Sequence, residues 1–406
     1  MKADARPLYL DYAATTPLDP RVLDAMLPWM RQDAGFGNPS SAGHVYGHEA
    51  AAAVEAARVR VAELVGADPA GVVFTSGATE ANNLAILGAV RFAMDRGRGR
   101  HLISSRTEHS AVLEACARLT REGAEVTLLE PDAQGRVHPE QVAAALRDDT
   151  VLVSLMHVNN EIGVMQDIPT VADLLRDRAT MLHVDAAQSA GRCPIRAAEW
   201  GVDLLSVSAH KLYGPKGIGA LWVRPRPRLR LEPLMYGGGQ EKGYRSGTLP
   251  VHQIVGMGEA FAVASAEYGA DIPRLHALRE QLCSGLQAAG ALRINGDGEL
   301  APHILSVTFG CVHGESLALE MNALALSAGS ACSSANPAPS HVLRAMGVPD
   351  SLALATFRFG LGRWTSAADV DQAVTIVRAA LNRLRPLSPL WRRAQAGEDL
   401  AGLHGS

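Results

Sequence analysis

Several features that define common protein classes are missing from this sequence of 406 residues. No apolar run approaches the roughly 18 residues that span a bilayer, and residues 1–6 contain an acid and no apolar segment of the kind found in secretory signals. A net charge of −4 disfavours a protein that binds nucleic acid through a globally basic surface. These absences predict a cytoplasmic protein that contacts neither membrane nor nucleic acid directly.

Cysteine and lysine are both scarce. The five cysteines are scattered and odd in number, which argues against a disulfide framework and predicts a reducing compartment. The 38 basic residues include only four lysines, Lys2, Lys211, Lys216 and Lys242. Arginine replaces lysine on most solvated surfaces, but its pKa above roughly 12 prevents it from acting as a neutral amine. The lysines that remain are therefore candidates for an amine nucleophile.

The pattern of apolar residues predicts an α/β fold. Between about residues 50 and 225, helix-like segments alternate with short β-branched runs. Several of these runs are continuously apolar, as in parallel strands covered on both faces. After about residue 265, a helical stretch, isolated strands and another helix predict a smaller α+β domain that also recruits the first residues. The expected division is a large domain at 18–265 and a small domain formed by 1–17 and 266–406.

Two segments fit neither a helix nor a strand: the glycine-rich residues 236–249, and residues 327–340, whose only apolar type is alanine. Structureless loops of this length inside a compact protein are usually functional or disordered. The second segment contains Cys332, whose small, polar and proline neighbours cannot bury it, so an accessible thiol is expected. Cys116 and Cys283 lie in amphipathic helical stretches and are expected in the core, which leaves Cys193 and Cys311, near turns, as weaker candidates for a reactive thiol.

A histidine and a lysine, His210 and Lys211, follow an apolar run at 204–208. A lysine at a strand end can point into a pocket where desolvation lowers its pKa and frees its amine to attack a carbonyl carbon. A solvated loop residue is an equal alternative on this motif alone. Lys216, between a proline and a glycine, fits that alternative better than Lys211 does.

Polar residues follow three further strand-like runs. Asp185 either caps the next helix or holds a pyridinium nitrogen protonated, and Gln188 lies three residues later. Residues 75–83 pass from a strand through Ser-Gly-Ala-Thr into a helix, which suits either a phosphate site or an ordinary helix cap. The segment lacks the glycine patterns of ATP and NAD sites. His109 lies just past another strand, where open α/β sheets bind ligands; a structural histidine with satisfied hydrogen bonds is the alternative. The histidines form no metal-binding pattern.

Together these motifs resemble those of cysteine desulfurases of the iron–sulfur cluster assembly type, within the class V aminotransferases. The resemblance runs from residues 8–17 to residues 387–391, and it is dense at 156–163 and 245–253. It implies a fold-type I transferase that depends on pyridoxal 5'-phosphate (PLP), with a mostly parallel seven-stranded sheet wrapped by helices. It also implies a homodimer.

The resemblance also implies a role for each candidate residue. Lys211 is expected to bond the cofactor, His109 to stack on its ring, Asp185 to pair with the pyridine nitrogen, and Gln188 to contact the ring hydroxyl. The residues expected to hold the cofactor phosphate are Ala78, Thr79, Ser208, His210 and, from the second subunit, Thr248. Asn160 is expected to contact cofactor and substrate, and Arg358 the substrate carboxylate. No metal is expected in this site.

The implied activity removes sulfur from L-cysteine, giving L-alanine and a persulfide on Cys332 for an iron–sulfur scaffold and other acceptors, such as tRNA thiolation. Ala209, Ser333 and Tyr236 depart from the family pattern, which concerns substrate preference more than activity. The alternatives are a selenocysteine lyase or related aminotransferase, and a non-catalytic interaction protein. A plain transaminase has no use for Cys332, and a non-catalytic protein would not need to keep Lys211.

Two surfaces are expected to bind partners. Four arginines, Arg224, Arg226, Arg228 and Arg230, alternate in the chain, so in an extended strand they would share one face. A solvated rim is the alternative, but the resemblance favours docking of small acidic partners there. The tail at 387–406 is too short to fold alone and is expected to expose a tryptophan. In related desulfurases the corresponding tail meets the cluster scaffold protein.

Overall fold

The computed structural model describes residues 6–290, 292–328 and 338–397. The strands are β1 (Leu8–Tyr9), β2 (Val72–Thr75), β3 (His101–Ser105), β4 (Glu125–Leu129), β5 (Thr150–Met156), β6 (Met181–Asp185), β7 (Leu204–Ser208), β8 (Gly219–Val223), β9 (Arg293–Asn295), β10 (Ile304–Thr308), β11 (Leu324–Ala325), β12 (Ser327–Ala328) and β13 (Thr356–Gly360). The α-helices are α1 (Pro20–Met26), α2 (Val45–Leu64), α3 (Ala78–Asp95), α4 (Ser110–Arg121), α5 (Pro139–Ala145), α6 (Ile168–Leu175), α7 (Ala197–Trp200), α8 (Val251–Ala288), α9 (Gly314–Glu320), α10 (His341–Ala345), α11 (Asp350–Leu354), α12 (Ala367–Leu384) and α13 (Pro389–Gln395). None of these helices is both long and apolar enough to span a membrane.

The main sheet has seven strands in the order β2-β8-β7-β6-β5-β3-β4. Strands β7, β6, β5, β3 and β4 run parallel, whereas β8 is antiparallel to both of its neighbours. Successive residues contribute to different apolar clusters, so that Leu204 packs in one and Leu205 in the other. Because helices cover both faces, the strands read as continuous apolar runs. The predicted mostly parallel sheet wrapped by helices is confirmed.

A second core surrounds an antiparallel sheet in the order β12-β13-β10-β9. It contains Leu305, Phe357 and Val374, together with Leu10 from the start of the chain. The first residues join this region because β1 pairs in parallel with β11, Leu8 opposite Leu324. This pairing agrees with the expected recruitment of the N-terminus, and the exact division into domains stays a prediction.

One helix connects the two cores across the expected boundary at residue 265. Helix α8 has 38 residues and contains Pro273. Met257 and Phe261 pack in the main core, whereas Leu275 and Leu282 pack in the second. The sequence pattern predicts only the half that begins at the proline, because proline favours the first turn of a helix. Packing on both sides offsets the hydrogen bond that Pro273 cannot donate.

The arginine segment does not form the expected extended strand, and that prediction is wrong. Strand β8 ends at Val223, and a turn covers residues 225–228. Prolines at 225 and 227 lack the N–H groups that a strand donates to its neighbour. Arg224 instead forms an ion pair with Asp203 at 2.5 Å, so the four arginines do not share the face of a strand.

The described part of the tail, residues 387–397, is ordered into α13, which the Ser388 side chain caps. The Arg385 guanidinium lies 4.6 Å from the centroid of the Trp391 ring, and Trp391 is half-buried. The expectation of an exposed tryptophan is therefore wrong, because the helix turns this ring against Arg385. The end of the tail, 398–406, lies outside the described residues.

Candidate active site

A cleft of about 530 Å³ opens where β5, β6 and β7 end. Parallel strands deliver their last residues to one edge of a sheet, which is where open α/β sheets bind ligands. Ten of the predicted site residues line it: Ala78, Thr79, His109, Asn160, Asp185, Gln188, Ser208, His210, Lys211 and Arg358. Thr248 is exposed and does not line this cleft, and Cys332 lies outside the described residues.

Lys211 ends a short 3-10 turn, Ala209–Lys211, directly after β7. Burial lowers the pKa of its amine to about 8; the Asp185 carboxylate opposes this shift and Arg358 adds to it. A substantial neutral fraction is therefore present near neutral pH. Lys216 also lines the cleft, but its side chain is exposed. Desolvation thus separates the two lysines that the sequence motif leaves as rivals.

Asp185 is buried at the end of β6 and has a partner on each carboxylate oxygen. Its Oδ1 accepts from the Ala187 backbone N–H at 2.9 Å, and its Oδ2 accepts from Asn82 Nδ2 at 2.7 Å. The contact with Ala187 is local to a turn at 187–192; the next helix begins only at Ala197, so Asp185 does not cap it, and the carboxyl group lines the cleft. Asn82 lies in the quoted 75–83 motif but was not among the predicted site residues. Its position one turn into α3, on the side toward the sheet, could have indicated a contact with Asp185.

Gln188 is held in place by two contacts. Its Nε2 donates to the Ala13 carbonyl at 2.8 Å, and its Oε1 lies 3.3 Å from His303 Nε2. The amide nitrogen carries a second N–H, which remains available to a hydroxyl oxygen in the cleft. This geometry is compatible with the expected contact to a ring hydroxyl.

The start of α3 offers a phosphate site rather than a capping box. Its N-cap is Gly77 at φ +154°, and no side chain caps the helix. The nearby Ser208 hydroxyl is buried without a hydrogen-bond partner among the described residues. His210 Nδ1 lies 3.0 Å from Thr15 Oγ1. An uncapped helix N-terminus and an unsatisfied hydroxyl in one cleft are what a phosphate group satisfies, so these residues fit PLP.

His109 forms the N-cap of α4, where its Nδ1 accepts from the Ala111 backbone N–H at 3.1 Å. Burial lowers the pKa of the imidazole; Asp185 opposes the shift, and the positive charges of Lys211 and His341 add to it. The ring is thus neutral near neutral pH, and its Nε2 carries the proton. A neutral imidazole suits both stacking and proton transfer.

Arg358 reaches the cleft from β13, in the second core. One terminal nitrogen, Nη2, contacts Asp11 Oδ1 at 2.9 Å and Ser327 Oγ at 2.8 Å, while Nη1 donates to the Asn160 carbonyl at 2.6 Å. Arg358 Nε and Asn160 Oδ1 are both buried without a hydrogen-bond partner in the described part of the chain. The sequence analysis missed Asp11, although it lies within the quoted residues 8–17. The arrangement can bind a carboxylate, which would share or replace the contact with Asp11.

The fold and the cleft agree with comparisons to known proteins. A model of the aminotransferase class-V family matches residues 8–373. The chain therefore belongs to the aminotransferase class-V family. It is 53% identical over 401 residues to Cysteine desulfurase IscS of Klebsiella pneumoniae (strain 342), covering 98% of this chain and 99% of the relative.

Two solved structures are similar to this chain over most of its length. A "NIFS-LIKE PROTEIN" superposes with a TM-score of 0.85 at 35% identity, covering 93% of this chain and all of that one. The structure "SspA in complex with cysteine" gives a TM-score of 0.78 at 37% identity, covering 88% of this chain and 99% of that one. The resemblance to cysteine desulfurases and the predicted fold are confirmed.

Proposed function

We infer that this protein is a PLP-dependent cysteine desulfurase that removes sulfur from L-cysteine and releases L-alanine. The observation that carries this function is the desolvated Lys211 facing Asp185 in one cleft, in a chain 53% identical to a cysteine desulfurase over nearly its whole length. A plain transaminase needs the same lysine and carboxylate. The near-complete similarity to a desulfurase favours sulfur removal over amino-group transfer.

The residues of the cleft are suited to hold PLP. We assign Asp185, supported by Asn82, to the pyridine nitrogen and His109 to the ring face. The uncapped start of α3, Ser208 and His210 would hold the phosphate. When bound, PLP supplies an electron sink for charge released at the substrate Cα. Lys211 would bond the cofactor and, as a neutral amine, would take the proton from the substrate Cα.

The remaining groups bind the substrate and take its sulfur. Arg358 and Asn160 hold the substrate carboxylate, and His109 relays a proton to the alanine product. The Cys332 thiolate attacks the substrate sulfur, so an S–S bond forms while the Cβ–S bond breaks and its electron pair stays with the carbon. Cys332 is then a persulfide that delivers sulfur to acceptor proteins.

The residues on either side of the undescribed segment support this role for Cys332. On one side, Ser327 Oγ contacts Arg358 and Asp11 at 2.8 and 2.9 Å. On the other, His341 Nε2 lies 2.8 Å from the Glu108 carbonyl, next to His109. Both flanks of residues 329–337 are therefore attached to walls of the cleft, which supports the assignment of Cys332 as the thiol that reacts with the substrate.

We further propose a homodimer in which Thr248 completes the phosphate site of the partner subunit. Thr248 is exposed in a segment held firmly by two ion pairs, Arg245–Glu80 at 2.9 Å and the buried Arg58–Glu241 at 2.9 Å. Large apolar side chains are exposed near the N-terminus at Leu27, Met30, Phe36, Val45 and Tyr46, and such patches mark interaction surfaces. Sedimentation of the protein and of a Phe36→Glu variant tests this assembly.

Two other surfaces remain proposals for partner binding in the cytoplasm. Arg226, Arg228 and Arg230 are exposed in the turn after β8, where they can attract a small acidic protein. The tail that begins with α13 is assigned to the iron–sulfur scaffold. The arginine turn and the tail are separate segments, so single variants in each distinguish the two partners.

Incubation of the purified protein with L-cysteine, followed by measurement of alanine and protein-bound persulfide, tests the proposed activity. Both products are expected in equal amounts during the first turnover. L-Selenocysteine offered in competition tests the lyase alternative, because one site can accept sulfur or selenium. Alanine production without any persulfide would contradict the proposed role of Cys332.

A further inference from the structure

A second cavity, of about 990 Å³, shares no lining residue with the cleft. One wall is a face of α8 that presents Tyr268, Ile272, His276 and Arg279 at helical spacing. The opposite wall comes from segments that follow strands of the main sheet, including His157, Arg192 and Trp200. The cavity thus lies between the two cores, a common position for ligand sites.

The buried lining of this cavity contains a cation with no counter-ion. Arg192 is only 4% exposed and forms no ion pair with any acid in the described ranges. Its Nη2 donates to the Tyr213 hydroxyl at 3.1 Å and approaches the Lys211 carbonyl at 3.5 Å. Its Nε has no hydrogen-bond partner within residues 6–290, 292–328 and 338–397. A buried guanidinium without an anion is costly, and an anionic ligand would offset this cost.

His157, on the same wall, is a second buried residue with an unsatisfied polar atom. It is 3% exposed, and its Nδ1 has no hydrogen-bond partner among the described residues. Its ring meets the Trp200 ring edge-on, with centroids 5.4 Å apart. A polar nitrogen buried next to an indole is therefore available to a ligand that is partly polar and partly aromatic.

The wall formed by α8 adds a second unpaired arginine. Arg279 is half-buried, and its Nε donates to the Ile304 carbonyl at 2.9 Å. It has no ion pair with a described acid, whereas the two acids of the lining, Asp167 and Glu299, are exposed at the rim. Met165, Tyr268 and Ile272 supply apolar surface. The interior is thus basic and apolar together.

We propose that this cavity binds a small organic carboxylate with an aromatic or apolar body, and that Arg192 and Arg279 pair with its anionic group. Guanidinium groups bind carboxylates through charge-assisted hydrogen bonds. The body of the ligand would pack against Trp200, Tyr268 and Ile272. This site is separate from the cleft that is assigned to the substrate cysteine, because the two share no lining residue.

The test uses the PLP-loaded protein labelled with 5-fluorotryptophan and titrated with phenylacetate, followed by fluorine NMR. The Trp200 resonance, assigned with Trp200→Phe, is expected to shift with saturation. The neutral analogue 2-phenylethanol is expected to bind about tenfold more weakly, because it lacks the charge. The assay does not measure turnover, so its failure leaves the desulfurase function untouched.

Two variants and one control locate the binding. Arg279→Gln and Ile272→Glu are each expected to weaken phenylacetate binding about tenfold or more. Arg378→Gln changes an exposed arginine of α12 away from the cavity and is expected to leave the affinity unchanged. The proposal would be overturned if the Trp200 signal did not move, or if the alcohol bound as tightly as phenylacetate. It would also be overturned if only Trp364, which does not line the cavity, shifted, or if folded Arg279→Gln bound phenylacetate as the unchanged protein does.

Discussion

The two walls of the cleft differ in how their charges are held. On the wall formed by the main sheet, Asp185 is fixed by neutral partners, Asn82 and the Ala187 N–H. On the wall formed by the second core, Arg358 is paired with an acid, Asp11, at 2.9 Å. The first wall is therefore organised before a cofactor arrives. On the second wall, Arg358 must share its guanidinium between Asp11 and the substrate carboxylate, or release Asp11, when substrate binds.

This difference separates the chemistry that each wall can perform. Burial sets the protonation of groups on the sheet wall, as the lowered pKa values of Lys211 and His109 illustrate. The arginine wall holds one fixed charge whose partner can change. We expect variants of the sheet wall to reduce turnover, and variants of the arginine wall to alter substrate affinity. The following predictions test that division.

The largest effect is expected for Lys211→Ala, which removes the desolvated amine of the sheet wall. Loss of a general base reduces rates by about 10²–10⁴-fold, so alanine release from L-cysteine should fall by at least that factor. Lys216→Ala is the matched control, because its exposed side chain lines the same cleft. Equal activity of the two variants would refute the assignment of Lys211.

Cys332→Ala is expected to keep the yellow colour of the bound cofactor but to form no protein-bound persulfide. The physical reason is that a thiolate is needed only for the attack on sulfur. Mass spectrometry of the protein after incubation with L-cysteine measures the persulfide. Cys283→Ala, which changes a half-buried cysteine in α8, serves as the control. A persulfide on Cys193 or Cys311 would show that another thiol receives the sulfur.

Arg358→Gln is expected to raise KM for L-cysteine by about 10- to 100-fold, the usual effect of losing a charge-assisted hydrogen bond. The kcat value should change less, because the sheet wall remains intact. Asp11→Asn removes the competing acid and should leave KM unchanged or lower it. Steady-state kinetics of the three proteins decide the point. A larger loss in kcat than in KM would break the division between the walls.

The pH dependence of PLP uptake by the apoprotein reports on Lys211. A neutral amine must attack the aldehyde, and burial lowers the pKa of Lys211 to about 8. The uptake rate should therefore rise about tenfold from pH 7 to pH 9 and then level off. An amine with the ordinary lysine pKa would give about a hundredfold rise without levelling. Stopped-flow absorbance of cofactor binding distinguishes the two profiles.

The smallest effect on turnover is expected from deleting residues 390–406, because no described residue of the tail lines the cleft. Binding to the cluster scaffold should weaken, as measured by pull-down. A double variant, Arg228→Glu with Arg230→Glu, should instead weaken binding of an acidic partner and leave scaffold binding intact. Unchanged scaffold binding by the truncated protein would contradict the proposal that the tail binds the scaffold.

Local sequence predicted the sheet wall well. Asp185 and Ser208 are the last residues of their strands, and His109 and Lys211 follow strands closely. Apolar runs followed by polar residues are a local signal, and parallel strands necessarily bring such residues to one edge. This pattern, together with the family resemblance, is enough to predict PLP as the cofactor.

Other features depended on the tertiary structure, because their partners are distant in the chain. Arg358 is 347 residues from Asp11, and no local pattern pairs them. Asn82 resembles any helical asparagine until β6 brings Asp185 within 2.7 Å. Periodicity also could not extend α8 past Pro273, since only packing in two cores offsets the missing hydrogen bond.

The sequence by itself determined the order of strands and helices, the residues at the strand ends and the family of the protein. The Pro-Lys-Gly context of Lys216 already favoured a solvated residue there, but only the tertiary structure decided that Lys211 is desolvated, because distant segments bury it. The tertiary structure also left Arg192 buried without an ion pair to any described acid. Burial and charge pairing arise from contacts between distant segments. These contacts set the pKa values of the site residues and decide which buried polar groups are left unsatisfied and available to a ligand.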